Sequence, residues 1–398
     1  MRIAYINADP GVPVFGTKGS SLHVREVIEG FVRAGAEVHL FASRLGGKAA
    51  PGWESVPQHV LPGSENAPGS DPETAKLKAN DALRHALENQ RPFDLIYERY
   101  SLWSFAAVEY AREKAIPSIL EVNAPLIEEQ RTYRTLTDPA RAEEVMRRVF
   151  AAATHILVVS DELAHYVAGY TADRGKIQVV PNAINPARFP ANVQPVYARS
   201  PDSFTVGFVG SLRPWHGLGI LVEAFAQFRR ACAAARLLIV GDGPERETLT
   251  VQVQEHQLSE AVILTGSIPA AAVPGYLASL DLAVAPYPDL PNFYFSPLKV
   301  YEYMAAGRAV IASGIGQLKT LIVHGINGWQ VQPGDANALA EAMLHLSRDA
   351  ELRRRLGDAA RKAILRNHTW DQVVQRIFAM AGFAGEVRAL NLMIQQPG

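Results

Sequence analysis

Short apolar runs alternate with helix-patterned stretches along this chain, and the alternation occurs twice over. The runs "RIAYIN" (2–7), "EVHLFAS" (37–43), "DLIYER" (94–99), "PSILEVN" (117–123) and "HILVVS" (155–160) are strand-like, with helical stretches such as 20–34 between them. Near-continuous apolar strands interleaved with helices imply a parallel sheet covered on both faces. A proline-rich break, 185–203, carries four prolines and little periodicity and reads as a linker. The rhythm then restarts with "FTVGFVG" (204–210), "RLLIVG" (236–241), "AVILTG" (261–266), "DLAVAP" (281–286) and "RAVIAS" (308–313), separated by helices near 217–231, 245–256, 271–279, 297–306 and 335–347. An Arg-rich helical tail covers about 349 to 382, and 46–73 reads as a surface excursion rich in Gly, Pro and Ser. The fold expected is α/β, with two doubly wound, Rossmann-like parallel-sheet domains at 1–190 and 204–375 joined by a linker at 191–203. Ligands of such sheets bind beyond the carboxyl ends of the strands, so two facing sheets would hold a ligand in the cleft between them.

Composition excludes several classes. A net charge of −1 argues against a protein whose main task is coating nucleic acid or an anionic membrane. With a single cysteine, Cys232, no intramolecular disulfide and no cysteine-based metal cluster can form. The opening "MRIAYINADP" lacks the basic segment and long apolar run of a signal peptide, and no uncharged stretch of about 18 residues suggests a transmembrane helix. A cytoplasmic protein is expected, one still able to touch the inner face of a membrane.

"SPLKVYEYMAAG" (296–307) holds a contradiction. Ser296 reads as an N-cap, Pro297 as the first helical residue and Gly307 as the stop. Lys299 nevertheless falls in the first turn, where the helix dipole disfavours a cation by roughly 0.3–1 kcal/mol. It is explained if an anion faces that helix end, where free backbone N–H groups already form an anion site. Glu302, three residues on, lies on the same face and could accept from a ribose diol, so the pair suits a nucleoside diphosphate. An i,i+3 salt bridge between Lys299 and Glu302 is the plainer alternative. Loops at strand ends add weight: "FGTKGSSLHV" (15–24) with Gly16, Lys18 and Gly19, "VGSLRPWHG" (209–217), and "VGDGPERETL" (240–249) with Gly241.

Several segments in combination carry a family resemblance: "IQVVPNAIN" (177–185), "IVGDGPERETL" (239–249), "SLDLAVAPY" (279–287), "VYEYMAAGRAVIAS" (300–313), "HGINGWQVQPGDANALAEAM" (324–343) and "NHTWDQV" (367–373). With them the chain resembles the GT-B retaining glycosyltransferases of family 4, the group 1 enzymes, over nearly its whole length. The resemblance implies transfer of a sugar from a nucleoside-diphosphate sugar to an acceptor with the anomeric configuration kept. It implies that Glu302 holds the ribose and that Gly19, with Lys18 beside it, meets the diphosphate. By the same likeness Ser296, Pro297, Leu298 and Lys299 face the phosphates and donor sugar, and the strand end at Gly266–Ile268 holds the base. His23 matches a family histidine beside the Gly loop. The last helix, 376–398, is expected to cross back to the first domain.

The departures are informative. Tyr294 stands where the family has the first of two glutamates, a donor-sugar contact. Ser211 and His216 occupy the positions of the usual Arg and Lys phosphate clamp, leaving Lys299, with Arg213 or His216, to supply charge. Asn123 replaces a frequent histidine; it can position groups but cannot act as a base. Together with Lys299, Glu302 and His23 it completes the expected catalytic set. Glu128 and Glu129, in "NAPLIEEQ" (123–130), join Asn123 as acceptor-side candidates, with a solvated helix start as the alternative. His165, His345 and His368 are scattered, and no Asp-x-Asp pair ends a strand, so no metal and no resident cofactor is expected. Charge on the leaving diphosphate would instead be met by helix ends and cations. The run 131–150, with five arginines against three carboxylates, could face a lipid phosphate or could be a solvated helix. The resemblance implies an acceptor that is a glycan, a lipid-linked or a small molecule, in polysaccharide, lipopolysaccharide or glycoconjugate synthesis. Alternatives are a sugar-nucleotide epimerase of the same shape and a non-catalytic nucleotide-sugar-binding subunit.

Overall fold

A computed structural model of the chain describes residues 1–49, 52–61, 72–198 and 203–383. Parts of the expected surface excursion (50, 51 and 62–71), of the linker (199–202) and of the C-terminal helix (384–398) lie outside the described residues. The described chain divides into two compact units, Asn182–Thr369 forming the second and the remainder the first.

The first unit runs β1 (Arg2–Asn7), α1 (Gly19–Arg33), β2 (Glu37–Ala42), β3 (Gln58–Val60), α2 (Pro72–Glu88), β4 (Leu95–Arg99), α3 (Ala106–Glu113), β5 (Ser118–Val122), α4 (Leu126–Tyr133), α5 (Pro139–Ala152), β6 (His155–Val158), α6 (Asp161–Ala168) and β7 (Ile177–Val179). Its seven strands lie in the order β3-β2-β1-β4-β5-β6-β7, all neighbours parallel. One face packs Ile6, Phe41, Leu83, Leu87 and Ile96 under α2 and α3. On the other, Tyr5 stacks on Tyr97 at 5.3 Å and Phe31 of α1 meets Tyr97 edge-on. The strand β3 lies in the stretch expected as a surface excursion. Three residues are too few to show a period, and only pairing along β2 fixes them as a strand.

The second unit runs β8 (Phe204–Val209), α7 (Leu218–Ala231), β9 (Ala235–Val240), α8 (Arg246–Glu255), β10 (Val262–Leu264), α9 (Val273–Ala278), β11 (Leu282–Ala285), α10 (Leu298–Ala305), β12 (Ala309–Ser313), α11 (Leu318–Leu321), β13 (Trp329–Val331), α12 (Ala336–Arg348) and α13 (Ala350–Asn367). Its six strands follow the order β10-β9-β8-β11-β12-β13, again parallel. Successive residues of β9 alternate between two cores. Leu237 and Ile239 join Leu221, Phe225 and Met343, whereas Leu238 and Val240 join Val300, Met304 and Ile364. Each fully buried side chain of this kind contributes about 1.5–3 kcal/mol, and burial on both faces explains why the strands read as unbroken apolar runs.

The proline-rich stretch 185–198 belongs to the second unit. Ile184 and Phe189 are buried in its core, and the backbone N–H groups of Val196 and Tyr197 donate to Gly275 and Ser279. Prolines announce irregular backbone, but burial of the intervening Phe189 decides which unit holds it. At Trp370 the chain rejoins the first unit as α14 (Trp370–Met380), where Phe378 stacks on Phe31 at 5.6 Å and Asp371 accepts from Arg33.

Candidate active site

The helix α10 is buried from Lys299 to its end, Glu302 included. It ends where Gly307, at φ +66°, supplies the left-handed residue a C-terminus favours. At its start the structure corrects the expected capping. Pro297 occupies the N-cap position and no side chain caps the helix. The Ser296 hydroxyl instead accepts from the Asn182 N–H at 3.0 Å and lies 3.2 Å from the Tyr301 hydroxyl, and its carbonyl accepts from Asn182 Nδ2 at 2.6 Å. Ser296 thus fixes the entry to α10 without satisfying the first-turn N–H groups.

Lys299 is 9% exposed, and its Nζ has no hydrogen-bond partner. The ammonium lies 4.6 Å from the Phe208 ring centre and 5.2 Å from that of Tyr287, with the backbone of Gly210 beside it. Aromatic faces offset only part of the lost hydration, and burial holds the lysine well below its ordinary pKa. Nothing pairs it with Glu302. That carboxylate, 8% exposed, lies 3.1 Å from Arg188 Nη2, so the intrahelical salt bridge is not formed.

His216 packs on the same two rings as Lys299, 5.8 Å from each. Its Nδ1 lies 2.6 Å from the Ser211 carbonyl and therefore donates. Burial, then the charge of Lys299, push its pKa down to about 2, so the ring is neutral and leaves cationic duty to its neighbours. Arg213 lies over Trp215 at 5.7 Å, and Trp215 stacks on Phe295, which contacts Tyr294 at 4.2 Å. An aromatic wall thus joins the loop after β8 to the segment before α10.

Three glycines line the carboxyl ends of adjacent strands. Gly210 donates to Val240 after β8, and Gly241 after β9 donates to Gly266 after β10. Gly241, at φ +136°, packs so closely that a Cβ there would stand 2.0 Å from the Gly210 carbonyl oxygen. Ile268, two residues beyond Gly266, is half-buried against the core. Beside Gly266 lies the guanidinium of Arg246, whose Nη1 is buried without a hydrogen-bond partner.

The remaining candidates fall in the first unit. Lys18 is the N-cap residue of α1, reaching the Gly11 carbonyl at 3.2 Å, and Gly19 begins the helix. His23 is buried, with Nε2 2.7 Å from Glu121 Oε1 and Trp370 edge-on at 4.9 Å. Burial would raise the Glu121 carboxyl, but His23 and then Arg99, 3.7 Å away, hold it down at about 2. Asn123 directly follows β5 with a buried, unpartnered Nδ2, and Glu128 in the first turn of α4 has an unpartnered buried Oε2. Tyr100 carries a third such atom, its hydroxyl. Burial and then Glu128 raise the hydroxyls of Tyr100 and Tyr166. Glu129 lies in the same first turn of α4. Of the five arginines in 131–150, three are engaged locally: Arg131 with Glu143, Arg148 with Glu109, and Arg147 over Tyr170. Among the described residues no helix is long and apolar enough to cross a membrane, and no cluster of three His, Cys, Asp or Glu side chains could hold a metal ion.

Two family models match the chain. "Glycosyltransferase Family 4" matches residues 17–188 and "Glycosyl transferases group 1" residues 203–349, so that between them they span most of its length. The chain belongs to the group 1 glycosyltransferases. Among relatives of this glycosyltransferase, a D-inositol 3-phosphate glycosyltransferase of Pseudarthrobacter chlorophenolicus is 24% identical over 86% of this chain and 85% of the relative. Among solved structures, a sucrose-phosphate synthase from Thermosynechococcus elongatus superposes with TM-score 0.72 at 21% identity, covering 95% of this chain and 99% of that one. Anabaena HepE in complex with UDP and glucose gives 0.69 at 18% identity, covering 95% and 99%. These likenesses establish the GT-B fold.

In this glycosyltransferase the donor-side candidates from Arg213 to Glu302 lie in the second unit, and Lys18, Gly19, His23, Asn123, Glu128 and Glu129 lie in the first. Sequence reasoning missed Arg188, Arg246 and Tyr100. Arg188 is 114 residues from Glu302 in sequence, and no local pattern links the two. Tyr100 had a weak signal, since it directly follows a predicted strand.

Proposed function

We propose that this glycosyltransferase transfers a sugar from a nucleoside-diphosphate sugar to a hydroxyl of a glycan, a lipid-linked or a small-molecule acceptor, with retention. One observation carries the reading. A buried ammonium without a hydrogen-bond partner lies in the first turn of a helix whose N–H groups no side chain caps. A diphosphate would supply the charge and the acceptors that Lys299 and α10 both lack. Glu302 would then accept from the ribose, and the base would lie along Gly266–Ile268, near Arg246. Trp215, Phe295 and Tyr294 would flank the donor sugar. The first unit would contribute Gly19, with Lys18 and His23 near it, and Asn123 and Glu128 would orient the acceptor. The complex of HepE with UDP and glucose supports a nucleotide-sugar donor.

In the proposed step the bond from the anomeric carbon to the diphosphate oxygen breaks. The acceptor oxygen bonds to that carbon on the same face, and its proton passes to the leaving diphosphate oxygen. Lys299 and the α10 amino end stabilise the negative charge that develops there, which is the largest contribution expected. The reading requires no resident cofactor.

A thermal-shift screen of UDP-, GDP- and ADP-sugars is the test, since a ligand bound only to the native state raises its Tm. It is followed by NMR of the anomeric configuration of the product. One donor class is expected to raise Tm and to yield product with the configuration kept, and only when acceptor is present. Product without acceptor would point to an epimerase. Binding without turnover across acceptors would point to a binding subunit, and inversion of configuration would refute the mechanism.

A further inference from the structure

The segment before the second unit's first strand carries Arg188, which packs against Glu302. Arg188 closes a short 3-10 turn, Pro186–Arg188, in which the Asn185 side chain accepts from the Ala187 N–H at 3.0 Å. Its Nη2 lies 3.1 Å from Glu302 Oε1 and donates to the Ala270 carbonyl at 3.3 Å. The next residue, Phe189, is buried, and its carbonyl accepts from Arg361 Nη2 at 2.8 Å. The other arm of Arg361 donates to the Ala305 carbonyl at the far end of α10. The turn is therefore tied to α10 at two places, once directly through Arg188 and once through Arg361.

We propose that Arg188 is the positioning residue that keeps the Glu302 carboxylate ionised and aimed to accept hydrogen bonds from the ribose of the donor. This rests on the reading of Glu302 as the ribose contact. A carboxylate this deeply buried loses most of its hydration and would take up a proton unless a cation faces it. Burial raises the Glu302 pKa, and Arg188 opposes that rise. An ionised carboxylate is acceptor-only and offers both oxygens to a diol, whereas a protonated one carries an O–H that must itself find an acceptor. Among the described residues, the groups that act on it are Arg188 from the 3-10 turn and Tyr303 on α10; Lys299 lies one turn earlier on α10, and Arg361 of α13 is bound to the helix's far end. Among the described residues, Arg188 is the cation that forms an ion pair with it. A guanidinium suits the post, because it stays charged at any working pH, and the same Nη2 that donates to the Ala270 carbonyl faces Glu302 Oε1 as an ion pair.

The test uses the full-length enzyme and whichever of UDP, GDP and ADP binds it tightest, alongside the 2′-deoxy and 3′-deoxy forms of that nucleotide. Calorimetric affinities are measured at pH 6 and pH 8 for wild type, Arg188→Gln and Arg188→Lys. Wild type is expected to bind the deoxy forms at least about tenfold more weakly. The Arg188→Gln enzyme should lose about 10- to 100-fold in affinity for the ribonucleotide at pH 6 and much less at pH 8, the scale of one hydrogen bond to a charged group. Its affinity for the deoxy forms should stay near that of wild type. Donor KM should rise while kcat at saturation holds within about threefold, and Arg188→Lys should recover most of the loss. Equal losses for ribose and deoxy forms, or ribose discrimination surviving at pH 6 in Arg188→Gln, would overturn the inference and leave the ribose reading standing. A wild-type enzyme indifferent to the deoxy change would overturn the ribose reading, and the inference with it.

Discussion

Replacing Lys299 with Met removes the charge while keeping the volume, and the structure fixes the sign of two opposite effects. The buried ammonium lacks a hydrogen-bond partner, and an unsatisfied buried group costs about 1–3 kcal/mol, more when charged. The faces of Phe208 and Tyr287, at 4.6 and 5.2 Å, return only part of that, since burial still holds the ammonium's pKa well down. Removing the charge should therefore stabilise the unliganded enzyme by about 1–2 kcal/mol, or roughly 2–8 °C in Tm for a unit of this size. Burial holds Lys299 below its ordinary pKa, so the unfolded chain binds the extra proton. Stability of the unliganded wild type should then rise with pH towards the ordinary lysine range, a slope that Lys299→Met should lack. Diphosphate binding should move the other way. Losing one charge-assisted contact weakens it by about 1.5–3 kcal/mol, roughly 10- to 150-fold. At a ligand concentration about 100 times the wild-type Kd, the ligand stabilises wild type by about 2.7 kcal/mol. A variant binding about 100-fold more weakly gains about 0.4 kcal/mol. Differential scanning calorimetry with and without nucleoside diphosphate reads both effects. A variant that is less stable without ligand yet keeps the full ligand shift would refute the reasoning, because Lys299 would then be a structural lysine.

Two other predictions concern the framework of the units. Glu98 of β4 is fully buried, Ser104 donates to it at 2.5 Å, and burial raises its pKa from 4.5 to about 7. Its folded-state value is raised, so its contribution to stability is complete below pH 4.5 and fades as pH climbs to 7, by about 3 kcal/mol in all. Glu98→Gln should flatten that slope in urea melts at pH 5 and pH 8; a slope unchanged in the variant would show that another group carries it. Gly241→Ala places a methyl group 2.0 Å from the Gly210 carbonyl at a φ of +136° and should cost at least about 2 kcal/mol. A urea midpoint equal to that of wild type would contradict the close packing of the glycine row.

Much of the fold was legible in the chain because its strands are buried on both faces. "RIAYIN" and "FTVGFVG" carry a dense local signal, and each strand of the βαβ rhythm needs only its own residues to declare itself. Strand β3 escaped notice because Gln58–Val60 has no period of its own and depends on β2 for its hydrogen bonds. Lys299 was legible through a conflict, since a cation in the first turn of a helix is unfavourable without a partner. Ser296 was misread because its residue type suits an N-cap, whereas its hydroxyl is drawn off by Asn182, 114 positions away. His216 by type can carry or lack a charge near neutral pH, and its burial beside Lys299 decides for the neutral ring.

The order of apolar runs, helix stops and glycine turns was set by the sequence alone, because these are preferences of a residue and its near neighbours. The partners of the charges were decided by tertiary structure. Glu302 meets Arg188 rather than Lys299, and Lys299 is left without a hydrogen-bond partner between two aromatic rings. The reason is physical. Burial removes water from a charge and makes its energy depend on whichever groups the fold brings within a few ångströms, and those groups can lie anywhere along the chain.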